Sequence, residues 1–347
     1  MNTILNGITA SHISTPRLRA HVLERPASNP RATVVLIHGN VSSALFYQPL
    51  MLALEPDVRA IAIDLRGFGG SEILPIDATR GVRDFSDDVA SVLDELQTGP
   101  VHLVGWSMGG GVVMQFLLDH PEMVASLTLQ APVSPYGFGS TSGSDGVLIN
   151  GGAGSGGGGA NADFVASLQA GDDTADSPTS ARAVFRGTYV APGYESEHED
   201  LWVASMLTTA TGDGNYPGTG VPCDAWPGFA PGDSGVLNTM APTHFNVSGI
   251  VDLPTKPHIL WIHGDADAIV SDASFFDLNH LGALGAIPGW PGADVAPAQP
   301  MISQTRAVLD RYAINGGSYA EVVLEGCGHS PHLEQPERFL QELAAQF

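Results

Sequence analysis

Short apolar runs alternate with amphipathic segments along the first third of the chain. The apolar runs predict five strands, at residues 19–25, 33–38, 58–63, 101–105 and 124–130. The segments between them have the apolar spacing of helices, at residues 43–54, 84–97 and 108–119. Buried-looking strands that alternate with helices are typical of a parallel sheet with helices on both faces. The pattern therefore indicates an α/β fold class, with a mostly parallel sheet flanked by helices.

This alternation stops near residue 132 and returns near residue 255. The residues between form three blocks of different composition: Gly/Ser-rich 137–160, helix-like 161–170 and 178–211, and Gly/Pro/Trp-rich 212–250. A Gly/Ser-rich block is typical of a linker, or of an ordered loop whose backbone closely approaches a ligand. We therefore expect residues 1–132 and 255–347 to form one core, with residues 133–254 inserted into it.

The most informative stretch is Gly105-Trp106-Ser107-Met108-Gly109, between a predicted strand and a predicted helix. A G-x-S-x-G sequence in a strand–turn–helix context is typical of a nucleophile elbow, where a strained turn exposes the serine hydroxyl. The helix N-terminus at this point favours a developing negative charge. The structural alternative is a Gly-rich helix start with a capping serine. The context favours a nucleophilic Ser107.

A serine nucleophile needs a base and an acid that orients the base. An apolar strand runs into Gly264-Asp265-Ala266-Asp267, and a later alternating strand ends at Gly328-His329. The order Ser107, Asp267, His329 is the order expected on this type of sheet. Each residue follows the carboxyl end of a predicted strand, which is the edge where open α/β sheets bind ligands.

Three further motifs carry a family resemblance. They are His38-Gly39-Asn40 after the second strand, Asp64 to Ser71 after the third, and Gly328 to Phe339 near the end. With the elbow and the acid turn, the chain resembles the α/β-hydrolase superfamily in its cap-bearing, esterase-like serine hydrolase branch. The resemblance covers about residues 18–132 and 255–347, and it implies the α/β-hydrolase fold.

The resemblance also implies a role for each residue of the triad. Ser107 would attack a carbonyl carbon, and His329 would take the serine proton and pass it to the leaving group. Asp267 would orient the imidazole, because in the family the acid follows the strand as Gly-x-x-Asp. The neighbouring Asp265 is expected to be a turn residue. A Ser-His-Asp hydrolase that works through an acyl-enzyme is the expected activity.

The oxyanion hole would use two backbone N–H groups, those of Met108 and Asn40. His38 is expected to brace the Asn40 loop rather than to take part in catalysis. In the resembling family an insertion at this point of the chain is a cap over the site, so we expect residues 133–254 to form a cap. No cofactor is implied. A metal cluster at His263 is disfavoured, because the hydrolase interpretation already accounts for Asp267.

Asp267 and His329 are farther apart in sequence than one crossover helix and a strand require. Most of the surplus is residues 273–300, an additional insertion at the same sheet edge. It is expected to form a second wall of the pocket, with Trp290 near the mouth, or else to be a surface loop. Trp106, Trp202 and Trp290 are the candidate substrate contacts, and an aromatic lining suits a small, largely apolar substrate.

The charge and composition of the chain limit the classes of molecule that it is expected to bind. The formal net charge of −23 disfavours binding to nucleic acid and to anionic membranes. No apolar run approaches the roughly 20 residues that span a bilayer, and residues 1–20 do not resemble a secretory signal. Cys223 and Cys327 are too few for a disulfide framework, which predicts reduced thiols and a cytoplasmic location. The expected partner is a small-molecule substrate, and the oligomeric state stays open.

Other activities and a non-enzymatic role compete with an ester or lactone hydrolase. Proline-releasing peptidases of the superfamily typically have His-Gly-Gly-Pro-Gly where this chain has His38-Gly39-Asn40-Val41-Ser42. Carbon–carbon bond hydrolases use a similar triad and remain an alternative. Dehalogenases and epoxide hydrolases have Asp at the elbow, so Ser107 disfavours both. A small-ligand binding protein with the same fold is the non-enzymatic alternative.

Overall fold

An eight-stranded sheet organises the molecule. The computed structural model describes residues 3–212 and 214–347. In its first half the chain forms β1 (Thr9–Ser14), β2 (Arg19–Arg25), β3 (Ala32–Ile37), α1 (Gln48–Ala53), β4 (Val58–Ile63), α2 (Arg83–Leu96), β5 (Val101–Trp106), α3 (Met108–Asp119) and β6 (Val124–Gln130). The predicted strands are present with small shifts of their ends. The predicted helix at 43–54 begins as a 3-10 turn at Ala44–Tyr47 and continues as α1.

The inserted segment contains short elements only. These are β7 (Thr141–Ser142), β8 (Val147–Leu148), α4 (Ala162–Ala170), α5 (Ala181–Val184), α6 (Glu199–Met206), β9 (Gly220–Pro222) and β10 (Phe229–Pro231). The helix-like stretch expected at 178–211 is divided into several short elements. A π-helical turn at Phe185–Tyr189 follows α5, and a loop containing Pro192 separates it from α6. Proline lacks the N–H that a continuing helix would need.

The last part of the chain completes the core with β11 (His258–Gly264), α7 (Leu278–Ala283), α8 (Met301–Ile314), β12 (Ser318–Leu324), α9 (Pro331–Glu334) and α10 (Pro336–Ala344). The strand order in the sheet is β1-β2-β4-β3-β5-β6-β11-β12. In this sheet order, the last six strands, β4-β3-β5-β6-β11-β12, pair in parallel. The first two, β1 and β2, pair antiparallel with their neighbours at one edge. The predicted α/β class with a mostly parallel sheet is confirmed.

The Gly-rich stretch 137–160 is packed through its backbone. A Cβ on Gly156 would lie 2.2 Å from Oδ1 of Asn238, and one on Gly157 would lie 2.6 Å from the Gly218 backbone. The N–H of Gly157 donates to Asn238 Oδ1 at 2.8 Å. Glycine is required because other chain segments approach too closely for a side chain. The stretch therefore serves as packed loop structure within segment 133–254.

Segment 133–254 contacts the core at the loops that follow the carboxyl ends of strands. Ser205 Oγ lies 2.6 Å from Ser43 Oγ, after β3. Thr208 Oγ1 accepts from the N–H of Gly69, after β4, at 3.0 Å. Parallel strands present their carboxyl ends at one edge of the sheet, so this segment lies over that edge. Among the described residues, no helix combines the length and the apolar character needed to cross a bilayer.

The insertion 273–300 packs against the Gly-rich stretch. Gln299 donates from Nε2 to the Gly137 carbonyl at 2.9 Å, and its Oε1 accepts from the Gly139 N–H at 2.6 Å. Asn150 donates to the Val295 carbonyl at 2.9 Å. The two irregular segments of the chain thus support each other through side-chain hydrogen bonds to backbone.

Candidate active site

Ser107 occupies the turn between β5 and α3 in a strained conformation. Its φ is 57° and its ψ is −119°, a region that non-glycine residues rarely adopt. Its N–H donates to the Gln130 carbonyl at 3.0 Å, and its own carbonyl accepts from Val133 N–H at 3.0 Å. These bonds to β6 and to the chain beyond it hold the turn in place. The serine side chain is half-buried.

The two glycines of the motif are required by close approaches of the backbone. A Cβ on Gly105 would lie 2.3 Å from the Gly109 carbonyl oxygen, and one on Gly109 would lie 2.3 Å from the Ile37 carbonyl oxygen. Real Cβ atoms do not come this near to a backbone oxygen. The glycines thus let α3 begin directly against β3 and β5, which sets the direction of the Ser107 turn.

This packing gives a stability prediction. We expect Gly109→Ala to lower the free energy of unfolding by about 3 kcal/mol, because the backbone of Ile37 and His38 lies too close to the new Cβ and cannot yield easily. Gly187 is a matched control, since a Cβ there would meet nothing within 4 Å. Gly187→Ala should leave stability unchanged to within about 0.5 kcal/mol. Urea denaturation of both variants measures the difference, and equal stabilities would contradict the packing argument.

His329 and Asp267 form a buried pair. His329 Nδ1 lies 2.8 Å from Asp267 Oδ2, and the side chains are 2% and 1% exposed. The other carboxylate oxygen, Oδ1, accepts from the N–H groups of Ile269 at 2.7 Å and Val270 at 3.0 Å. An ionised carboxylate only accepts, so His329 carries its proton on Nδ1 and leaves Nε2 free to take one. The Asp267 contacts fix that tautomer.

The loop that carries His329 lies beside the elbow. Trp106, the residue before Ser107, donates from its indole N–H to the His329 carbonyl at 2.8 Å. Its ring centroid is 5.6 Å from that of His329. The three residues singled out by motif order thus converge at the carboxyl ends of β5, β11 and β12.

Asp265 and His263 have other partners. Asp265 is exposed, and its Oδ1 accepts from the Gly326 N–H at 2.7 Å, which ties the turn after β11 to the turn after β12. His263 lies 2.9 Å from Glu321 Oε1 and stacks on Trp261. These contacts give the two residues structural roles in the outer part of the sheet.

The loop after β3 approaches the elbow from the other side. A Cβ on Gly39 would lie 3.0 Å from Ser107 Cβ, so this loop passes directly against the serine. His38 braces it, because His38 Nε2 accepts from Leu65 N–H at 3.0 Å while Nδ1 lies 2.7 Å from the Gly39 carbonyl oxygen. Burial lowers the pKa of His38, which keeps its ring neutral. Asn40, which follows Gly39 in this loop, is half-buried.

Met108 is the first residue of α3, so its N–H belongs to the positive end of the helix. The side chain of Met108 is buried in the core. Its backbone N–H and that of Asn40 therefore belong to the two chain segments that flank Ser107. The oxyanion role of these two N–H groups stays a prediction.

The three tryptophans predicted as substrate contacts lie in different surroundings. Trp106 is fully buried, and Trp202, on α6, is 1% exposed and stacks on Phe46 with ring centroids 5.1 Å apart. Trp290 donates to the Ala296 carbonyl at 3.0 Å, within its own insertion. The structure gives packing contacts to all three, and substrate contact stays a prediction for each.

Sequence reasoning missed three residues that support the site. The first is His332, which lies three residues after His329. The Nδ1 atom of His332 lies 2.5 Å from Nε2 of Gln130. Burial lowers the pKa of His332 to about 3, so its ring is neutral. Glu334 bonds to backbone on both sides of His329, and Tyr189 bonds to the Asn40 loop. Glu334 lies within the motif from Gly328 to Phe339, whereas no local signal in the sequence marks Tyr189.

Cys327 lies two residues before His329 and raises the question of a catalytic thiol. The side chain is buried, and burial raises the pKa of its thiol well above the usual range. A thiol that stays protonated is a poor nucleophile. Cys327 therefore functions as a small buried side chain under the histidine loop.

Both the sequence and the fold are similar to those of known hydrolases. A model of the alpha/beta hydrolase family matches residues 34–342. A Variovorax paradoxus protein named "Putative carbamate hydrolase RutD" is 44% identical over 97 residues, which cover 28% of this chain and 36% of that protein. Carboxylesterase YbfK of Bacillus subtilis is 30% identical over 129 residues, covering 37% and 42% of the two chains. The alignments thus span less than half of each relative.

The crystal structure of the Bacillus subtilis carboxylesterase CesB (YbfK) superposes with a TM-score of 0.59. The match covers 97% of this chain and 90% of that chain, at 18% sequence identity. At this identity the similarity concerns the fold. It extends over the segment 133–254 as well as over the sheet.

Proposed function

This chain belongs to the alpha/beta hydrolase family, and we propose that it is a serine hydrolase that cleaves a carboxylic ester, including a lactone, of a small and largely apolar substrate. The observation that carries the proposal is the buried His329–Asp267 pair at 2.8 Å beside the strained Ser107 turn. An imidazole held through Nδ1 by a buried carboxylate, on a loop that packs beside the serine turn, is the arrangement required for nucleophilic acyl transfer.

The proposed reaction proceeds in two half-reactions. Ser107 Oγ bonds to the substrate carbonyl carbon while His329 Nε2 takes its proton. The resulting oxyanion is stabilised by the N–H groups of Met108 and Asn40. The carbon–oxygen bond to the leaving alkoxide breaks, and His329 returns the proton to that oxygen.

Deacylation repeats these steps with water. His329 takes a proton from water as the hydroxide bonds to the acyl carbon, and the bond to Ser107 breaks. The serine oxygen takes the proton back from His329, and a carboxylic acid leaves. Asp267 stays ionised throughout and stabilises the imidazolium in each half-reaction. No cofactor takes part in this proposal.

An apolar substrate is supported by the side chains around the elbow. Phe46, Phe185 and Tyr189 form a connected aromatic cluster with Trp106 and Trp202. Apolar, aromatic surroundings of this kind suit an acyl chain or an aryl group. The carboxylesterase name of one relative also supports an ester.

The proposal is tested with p-nitrophenyl esters from acetate to decanoate, together with a γ-lactone and a p-nitroanilide. We expect turnover of esters with a chain-length optimum, and fluorophosphonate labelling of Ser107 identified by peptide mass spectrometry. Labelling without ester or lactone turnover would favour an amide or carbon–carbon bond hydrolase. If both turnover and labelling are absent, the enzymatic proposal is overturned in favour of a ligand-binding protein.

We also propose that residues 133–254 act as a cap over the site. Their contacts with the loops after β3 and β4 support this assignment. The pocket-wall role of insertion 273–300 and a cytoplasmic location stay predictions.

A further inference from the structure

The hydroxyl of Tyr189, in segment 133–254, bonds to the loop that carries Asn40. It donates to the Asn40 carbonyl at 2.8 Å and lies 3.3 Å from the Val41 carbonyl. Tyr189 is 7% exposed, and its ring stands edge-on to Trp106 and His329, with centroids 5.8 Å and 6.1 Å away. Burial raises the pKa of Tyr189 well above its usual range, so the hydroxyl keeps the proton that it donates.

The residue between these two carbonyls is strained. Val41 has a φ of 45°, in the left-handed region that β-branched residues avoid. Such a conformation persists only when surrounding contacts hold it. The Tyr189 hydroxyl contacts the carbonyls on both sides of Val41, so it is placed to hold this conformation. The Asn40 carbonyl that accepts from Tyr189 belongs to the peptide directly before Val41, in the same residue as the N–H assigned to the oxyanion hole.

The same short segment reaches the histidine loop two residues later. The N–H of Ala191 donates to Glu334 Oε2 at 2.7 Å. Glu334 also accepts from Gly328 N–H at 2.9 Å and from Ser330 N–H at 3.1 Å, one on each side of His329. A Cβ on Gly328 would lie 2.6 Å from the Ala191 nitrogen, so the glycine permits this approach.

We propose that residues 189–191, which we name the strap, hold the oxyanion loop and the histidine loop in register, with Tyr189 as the positioning residue of the oxyanion loop. This inference rests on the proposed function, because it assigns the Asn40 N–H to oxyanion stabilisation. Tyr189 acts through Asn40 and does not itself contact the reacting atoms. Its removal should therefore affect the chemical step more than substrate binding.

The test uses Tyr189→Phe, which removes the hydroxyl and keeps the ring. We expect kcat for the best ester to fall about 10-fold, less than the loss of a whole oxyanion donor, with KM changed by less than about 3-fold. Tyr312→Phe is the matched control. Its hydroxyl also donates to a backbone carbonyl, that of Pro257, at the amino end of β11, so its kcat should match the wild type.

The same substitution in a Val41→Gly variant separates positioning of the Asn40 loop from general packing. Glycine adopts a positive φ without strain, so Val41→Gly removes the need for the brace. In that background we expect Tyr189→Phe to lower kcat by less than about 2-fold. An equal loss in both backgrounds, or no loss in the wild-type background, overturns the proposal.

Amide hydrogen exchange gives a readout that does not depend on activity. Peptides covering residues 38–47 should exchange about 10-fold faster in Tyr189→Phe than in the wild type and in Tyr312→Phe. If the wild type has no esterase activity but exchange is faster in Tyr189→Phe, the proposed function fails and the strap proposal stands. If esterase activity is present but exchange is unchanged, the strap proposal fails while the proposed function stands.

Discussion

Ser107→Ala should lower kcat for the best ester by about 10⁵-fold or more. The variant keeps the His329–Asp267 pair but lacks the oxygen that would bond to the substrate carbonyl. The methyl group of alanine fits the space, although the strained φ of 57° persists. Stopped assays at high enzyme concentration measure the residual rate, and mass spectrometry of fluorophosphonate-treated protein shows whether label is lost at the same time.

A control must show that removing a serine hydroxyl does no general harm. Ser86 on α2 is fully buried, and its Oγ has no hydrogen-bond partner among the described residues. Ser86→Ala should therefore keep wild-type kcat. If Ser107→Ala retained more than about 1% of the activity, catalysis would not depend on a Ser107 acyl-enzyme.

Asp267→Asn should lower kcat by about 10⁴-fold while leaving the fold intact. Two backbone N–H groups already occupy Oδ1 of Asp267. An asparagine would keep its carbonyl oxygen at that position and turn its NH₂ toward His329 Nδ1. The imidazole proton would then move to Nε2, where it prevents His329 from acting as a base. Initial-rate kinetics and a thermal unfolding curve test the two parts of this expectation.

Asp265→Asn is the matched control, since Asp265 lies two residues away and is exposed. Its contact is with the Gly326 N–H, which an asparagine oxygen can also accept. We expect kcat to stay within about 3-fold of the wild type. A larger loss in Asp265→Asn than in Asp267→Asn would assign the orienting acid to Asp265 instead.

The strands of the sheet could be predicted because their burial is visible in the sequence. β3, β4 and β5 are almost entirely buried, so nearly every position is apolar. The edge strand β1 was missed, because most of its residues are exposed and carry no apolar signal. The helix-like stretch 178–211 forms several short elements, because a loop that contains Pro192 interrupts it.

Part of the site could be predicted for a similar reason. The elbow is a local structure, since strand, glycines, serine and helix follow one another directly. Motif order singled out Asp267 and His329, and the structure places them 2.8 Å apart. Their catalytic roles, like the oxyanion roles of Asn40 and Met108, stay predictions that the variants above test.

The sequence by itself determined the α/β class, the family and the order of the candidate catalytic residues, because these depend on local patterns of apolar, Gly and motif residues. Only the tertiary structure decided that Trp106 and Trp202 are buried and that Tyr189 reaches the Asn40 loop. Tyr189 and Asn40 are 149 residues apart in the chain. Contacts of this kind arise when separate segments pack over one sheet edge, and no local pattern of residues specifies which side chains will meet there.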